Sequence, residues 1–167
     1  PYRGRPLYEH AIEALVSSPG VGEILVVVQP GFPLPPEQPR VRFTVNPDHK
    51  EGMASSLRAG VRAASAGTAA YLIALADMPA VSANLIAALI EFNRLTGSRI
   101  VVPLYEGRRG HPVLIDVGMR DELLALSGDV GAREIIAAHP GWVGFLETDD
   151  EGAVFDVDEP QDLTSGG

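Results

Sequence analysis

Unbroken apolar runs, rather than alternating ones, mark the strands of this chain. Residues 24–28 and 71–75 hold no charged side chain, and this pattern predicts strands buried on both faces, as in a parallel sheet. Further runs at 41–45, 100–104, 113–115 and 143–147 predict more strands. Helical spacing places Leu7, Ala11, Ala14 and Leu15 on one face of a helix ending near Ser17, with Pro6 suited to its first turn. A second helix is predicted from Ala54 to Ala66. A third runs from Ser82 to Thr96, with Leu85, Ile86, Leu89, Ile90 and Leu95 as its buried stripe. Residues 121–126 and 132–139 read as short helices. Five prolines between 29 and 40 predict a surface excursion without regular structure. The short loop between 104 and 113 predicts that the strands it joins are antiparallel. Strands alternating with helices imply an α/β layered fold in one domain, 1–167, without internal repeats.

Composition narrows the function classes. The chain has 167 residues, 46% of them hydrophobic, enough for a real core. Its formal net charge of −9 argues against nucleic acid or an anionic membrane as main partner. Cysteine is absent, which excludes disulfides, thiolate zinc sites and a cysteine nucleophile within the chain. No apolar run is long enough to span a bilayer and no signal peptide is visible, so a cytoplasmic location is expected. The chain starts at Pro1 rather than at a methionine, which points to missing upstream residues.

The candidate chemistry sits where strands end. Asp77 closes the apolar run at 71–75, at the edge where open α/β sheets place their ligands. It could bind a divalent metal through oxygen or cap the following turn. Asp156 and Asp158 follow a short β-like stretch, and two carboxylates plus substrate phosphates form a usual magnesium site. Gly52 to Ser56 opens a helix, where free N–H groups and serine hydroxyls serve either a ligand or simple capping. Arg108 and Arg109 sit in a glycine-punctuated loop with His111, suited to an anionic phosphate or to solvation. His111 either meets a substrate or hydrogen-bonds a loop carbonyl. Asp129 with Gly131 reads as a turn and helix cap.

In order along the chain stand Asn46-Pro47, Glu51-Gly52-Met53, Ser55-Ser56-Leu57, Leu75-Ala76-Asp77-Met78-Pro79, Arg109-Gly110-His111-Pro112, Gly128-Asp129-Val130-Gly131-Ala132-Arg133 and Asp156-Val157-Asp158-Glu159-Pro160-Gln161-Asp162-Leu163. Together they resemble the molybdenum cofactor cytidylyltransferases, within the wider group that includes the molybdopterin guanylyltransferases. The resemblance implies a three-layer Rossmann-like nucleotidyltransferase fold (glycosyltransferase-A-like) with a mostly parallel mixed sheet. It implies Mg²⁺ held by Asp77, with Asp158 or Asp156 as the second acid. Asn46, Gly52, Met53, Ser55 and Ser56 would line the base pocket of CTP or another NTP. Arg109, Gly110, His111 and Pro112 would face a molybdopterin-type or other phosphorylated acceptor. A molybdoenzyme or its maturation chaperone is the implied protein partner. Alternatives are another acceptor, such as a sugar phosphate, and a non-catalytic cofactor-binding or delivery protein. The family's first strand and its glycine-rich phosphate loop find no match here, and residues 1–7 match the segment that follows that loop. The absent strand is expected between those at 24–28 and 71–75, so these two should not pair directly.

Overall fold

The computed structural model describes residues 2–36 and 38–157. In chain order the elements are α1 (Leu7–Ser17), β1 (Ile24–Val28), β2 (Val41–Val45), α2 (Met53–Ala63), β3 (Ala70–Ile73), α3 (Ala83–Thr96), β4 (Ile100–Tyr105), β5 (Arg108–Arg109), β6 (Val113–Asp116), α4 (Arg120–Ala125), α5 (Ala132–Ala138) and β7 (Val143–Glu147). This is the α/β alternation expected from the periodicity.

Two sheets form. β1 and β2 pair in parallel, with Ile24 opposite Val41 and Val28 opposite Val45. The second sheet has the order β3-β6-β4-β5, and β7 also pairs with β4. β4 and β7 are parallel, whereas β4 and β5 are antiparallel, so the sheet is mixed. The expected antiparallel turn-back after 104 begins with β5, a two-residue strand that apolar patterning could not reveal because both its residues are arginines.

One burial expectation is corrected. The three central residues of β1 and all of β3 are only half-buried. The strand buried most deeply is β4, where Ile100, Val101 and Val102 are at most 1% exposed. The reason is position: β4 has neighbours on both sides, whereas β1 pairs only with β2 among the described residues and β3 ends its sheet's order. β1 and β3 lie in separate sheets and do not pair with each other.

The chain forms two compact units, each with its own packing. One contains residues 2–21, 72–114 and 143–157 of those described. There α3 packs on β4 and β7. Ser82 caps it by accepting the Leu85 N–H, and Gly97 closes it in the left-handed region at φ 68°. Leu85, Ile86 and Leu89 are its buried stripe, each worth about 1.5–3 kcal/mol of burial. Leu95 leaves that stripe and is 70% exposed, because six residues beyond Leu89 carry it roughly 240° around the helix. In α1 the buried residue is Ile12, beside rather than on the expected face, and Leu7, Ala11, Ala14 and Leu15 are half-buried.

The other unit contains residues 22–71 and 115–142. α2 lies on β1 and β2. A Cβ at Gly60 would stand 3.2 Å from Val27 Cγ2, so the glycine sets the close approach of helix to strand. The helix ends at Ala63 rather than Ala66, because Ala64 is already extended. Among the described residues no helix is long and apolar enough to cross a membrane.

Candidate functional site

The expected base-pocket residues gather in the second unit around the start of α2. Asn46, 2% exposed, follows β2 and is saturated with hydrogen bonds. Its Nδ2 donates to Ser55 Oγ at 2.8 Å and to Ser56 Oγ at 3.1 Å, and its Oδ1 accepts the Asp48 N–H at 3.0 Å. Ser55 spends its own proton on the Gly52 carbonyl. Ser56 accepts from Asn46 and makes no other side-chain hydrogen bond among the described residues, so its proton remains for a ligand.

Of the two readings left open for the α2 start, a ligand or simple capping, its first N–H groups follow the second. The Met53 N–H donates to Asp129 Oδ1 at 3.2 Å and the Ala54 N–H to the Gly128 carbonyl at 3.2 Å. The Ser55 N–H goes to the Gly52 carbonyl. Asp129 is therefore a helix cap, but of α2 rather than of the α5 that follows it. Gly52 makes this closure possible. Its φ of 99° is a conformation for glycine, and a Cβ there would fall 2.6 Å from the Gly128 carbonyl oxygen. A Cβ on Gly131 would likewise meet Met53 Sδ at 2.8 Å. An open groove of about 340 Å³ runs along α2, lined among others by Thr44, Asn46, Ser55, Arg58 and Arg62. Arg58 is committed to Glu51 and to the Leu126 carbonyl.

The expected metal and acceptor residues gather in the first unit, on two loops and one turn. Asp77 lies four residues beyond the end of β3, exposed, with no hydrogen bond to its carboxylate among the described residues. Its backbone carbonyl accepts the Val157 N–H at 3.0 Å, which brings the exposed Asp156 to the same backbone junction. Asp158 lies outside the described residues. Exposed carboxylates on adjoining segments, without hydrogen bonds among the described residues, fit a magnesium ion, which takes one or two carboxylates and completes its shell with water and phosphate. Among the described residues no group of three or more metal-ligating side chains forms, and such a site does not need one.

His111 follows Gly110 and precedes a cis Pro112. Its N–H donates to the Ala153 carbonyl at 2.8 Å, and Gly110 is fixed there because a Cβ would stand 2.2 Å from the same oxygen. Burial holds the His111 imidazole below its ordinary range, while a hydrogen bond to the Ile73 backbone and the Asp77 charge draw it back up. Its Nδ1 is buried without a hydrogen-bond partner among the described residues. The bland reading, a histidine bonded to a carbonyl, thus accounts for one edge of the ring and leaves the other unspent. Arg109 lies over the Phe145 ring at 5.2 Å, and both arginines of β5 are exposed.

The acidic stretch at 148–152 reads as a turn, but its burial and its role in joining these loops are not visible in the pattern. Residues 151–153 form a 3-10 turn whose Gly152 and Ala153 are buried. Asp150 accepts the Gly152 N–H at 2.9 Å and the Ser82 hydroxyl. A Cβ on Gly152 would fall 2.2 Å from the Ala80 carbonyl oxygen. An acidic run ending in glycine was the available signal, but charge runs read first as solvated turns.

Comparison with known proteins adds the family. The chain is 33% identical over 174 aligned residues to a nicotine blue oxidoreductase of Paenarthrobacter nicotinovorans, covering 98% of this chain and 83% of that protein. It is 31% identical over 130 residues to the purine catabolism protein PucB of Bacillus subtilis, covering 77% of this chain and 62% of PucB. The crystal structure of a homologue of Mycobacterium tuberculosis Rv0371c, from Mycobacterium sp. strain JC1, superposes with a TM-score of 0.82 at 21% identity, over 99% of this chain and 85% of that one. That likeness establishes the Rossmann-like nucleotidyltransferase fold. A family model described as the MobA-like NTP transferase domain matches residues 1–142. With that span and the strand-end motifs, the chain belongs to the MobA-like NTP transferase family.

Proposed function

We propose that this nucleotidyltransferase-family chain is a Mg²⁺-dependent cytidylyltransferase that moves CMP from CTP onto the phosphate of a molybdopterin-type cofactor. An acceptor phosphate oxygen attacks the α-phosphorus, the bond from that phosphorus to the bridging oxygen breaks, and pyrophosphate leaves. No protein nucleophile is required, because positioning and charge stabilisation carry such transfers. The observation that carries the reading is the exposed Asp77, whose carboxylate has no hydrogen bond among the described residues, joined through its backbone to the irregular segment that holds Asp156. Asp77 would hold the metal with Asp156, or with Asp158. A bound Mg²⁺ would neutralise charge developing on the phosphates. Ser56 offers its hydroxyl proton to the base, in a pocket framed by Asn46, Gly52, Met53 and Ser55. Arg109, Gly110, His111 and Pro112 serve the acceptor. A molybdoenzyme or its maturation chaperone would receive the product.

The test is pyrophosphate release by the purified chain given Mg²⁺, molybdopterin and each nucleoside triphosphate in turn. Release with CTP, matched by a CMP-linked pterin product, is expected. Release only with another base, or only with a sugar phosphate as acceptor, would revise the substrate. Cofactor binding without release from any nucleotide would leave a binding or delivery protein. A second reading rests on the Paenarthrobacter relative, whose name is that of an oxidoreductase. Redox conversion of nicotine blue by the same preparation, without pyrophosphate release, would favour it.

A further inference from the structure

We infer that residues 150–157 are the positioning element of the Asp77 carboxylate, with Asp150 as its anchor. The inference rests on the reading of Asp77 as a metal-holding residue. Asp77 stands on an irregular loop between β3 and α3, and its carboxylate has no hydrogen bond of its own to fix it among the described residues. Left alone, such a loop would offer the metal a carboxylate whose position must be ordered on binding, at an entropic cost. The 150–157 segment removes that freedom at three successive points. Val157 N–H holds the Asp77 carbonyl, Gly152 packs its bare Cα against the Ala80 carbonyl, and Asp150 takes the Ser82 hydroxyl. Ser82 simultaneously caps α3, so the far end of the loop is tied to a regular helix. The same turn holds the other loop, through the His111 N–H on the Ala153 carbonyl and the contact of Gly110 with it. One short segment therefore sets both loops. Asp150 shapes it from within by accepting the Gly152 N–H. Asp150 is a positioning residue: both its oxygens are occupied by protein donors.

Partners that orient a metal-bearing side chain typically change metal affinity by about 10- to 100-fold when removed. The test uses the full chain and Mn²⁺ as the probe, with free Mn²⁺ followed by electron paramagnetic resonance well below the thermal midpoint, without nucleotide. Asp150→Ala is expected to weaken Mn²⁺ binding about tenfold. Asp150→Asn is expected to restore it, since its Oδ1 still accepts from Gly152 and its amide can donate to Ser82 Oγ. Ser82→Ala is expected to weaken binding in the same direction, and it serves if Asp150→Ala fails to fold. Asp77→Asn is the control for the underlying reading. If Asp77→Asn binds Mn²⁺ like the parent protein, the metal reading fails and this inference with it. If Asp77→Asn loses binding but Asp150→Ala and Ser82→Ala retain it, the positioning role alone is overturned. Loss of binding in Asp150→Asn would also overturn it, because charge rather than geometry would then be at work.

Discussion

The start of α2 and the Asp77 loop are both candidate binding regions, yet they handle polar groups in opposite ways. Around α2, Asn46 meets three partners, Ser55 returns its proton to Gly52, and the Met53 and Ala54 N–H groups are closed off by Asp129 and Gly128. Among the described residues the Ser56 hydroxyl proton is left over for a base. On the Asp77 loop the backbone is fixed while the functional atoms are free. Among the described residues the Asp77 carbonyl is bonded but its carboxylate is not, and the His111 backbone N–H is bonded but Nδ1 is not. The first region is scaffold with one open contact; the second is scaffold carrying unspent chemistry. Substitutions in the first should cost stability, and substitutions of the free groups in the second should cost function alone.

The sharpest way to break this contrast is Gly52→Ala. The substitution would place a Cβ in a glycine-only backbone region and against the Gly128 carbonyl, so a loss of about 3 kcal/mol in urea unfolding is expected. Unchanged stability would mean that the 128–131 turn does not close on α2. Asn46→Ala should follow, at about 2 kcal/mol, because it strands buried hydrogen-bonding groups. Ser56→Ala should leave stability nearly intact and weaken CTP binding by about 1 kcal/mol in calorimetric titration, the loss of one neutral hydrogen bond. Identical CTP affinity would remove Ser56 from the pocket. The smallest effect is expected at Glu23, which bonds Arg42 and Ser65 on the surface. Burial opposes its ionisation, but the Ser65 and Arg42 hydrogen bonds prevail and hold its carboxyl below the ordinary range. Its contribution is thus complete at neutral pH and is lost on acidification through the depressed folded value. Glu23→Gln should cost about 0.5 kcal/mol at neutral pH, fading with added salt.

Much of the fold was legible because apolar runs and helical stripes report burial directly. β1, β2, β7 and the Ser82-capped α3 stand within a residue of their expected bounds. Where pattern failed, geometry explains it. Runs alone do not say which strand is flanked on both sides, so β4 rather than β1 or β3 is the most deeply buried. Motif order brought Asn46, Ser55 and Ser56 together, and likewise Asp77 and Asp156. What the sequence could not display was closure over distance. Asp129 caps a helix 76 residues upstream, and Asp150 reaches Ser82 across 68. Such partners carry no local spacing, so an acidic turn reads as solvent-facing until its contacts are seen.

On the proposed reading, the Asp77 carboxylate, which has no hydrogen bond among the described residues, serves metal-dependent transfer and nothing structural. The most direct measurement is pyrophosphate release from CTP by the parent protein and by Asp77→Asn across a Mg²⁺ titration, with thermal unfolding recorded on the same samples. The account predicts that Asp77→Asn unfolds at the parent temperature and releases no pyrophosphate above background at any Mg²⁺ concentration. Parent-like turnover with an unchanged magnesium dependence would contradict it.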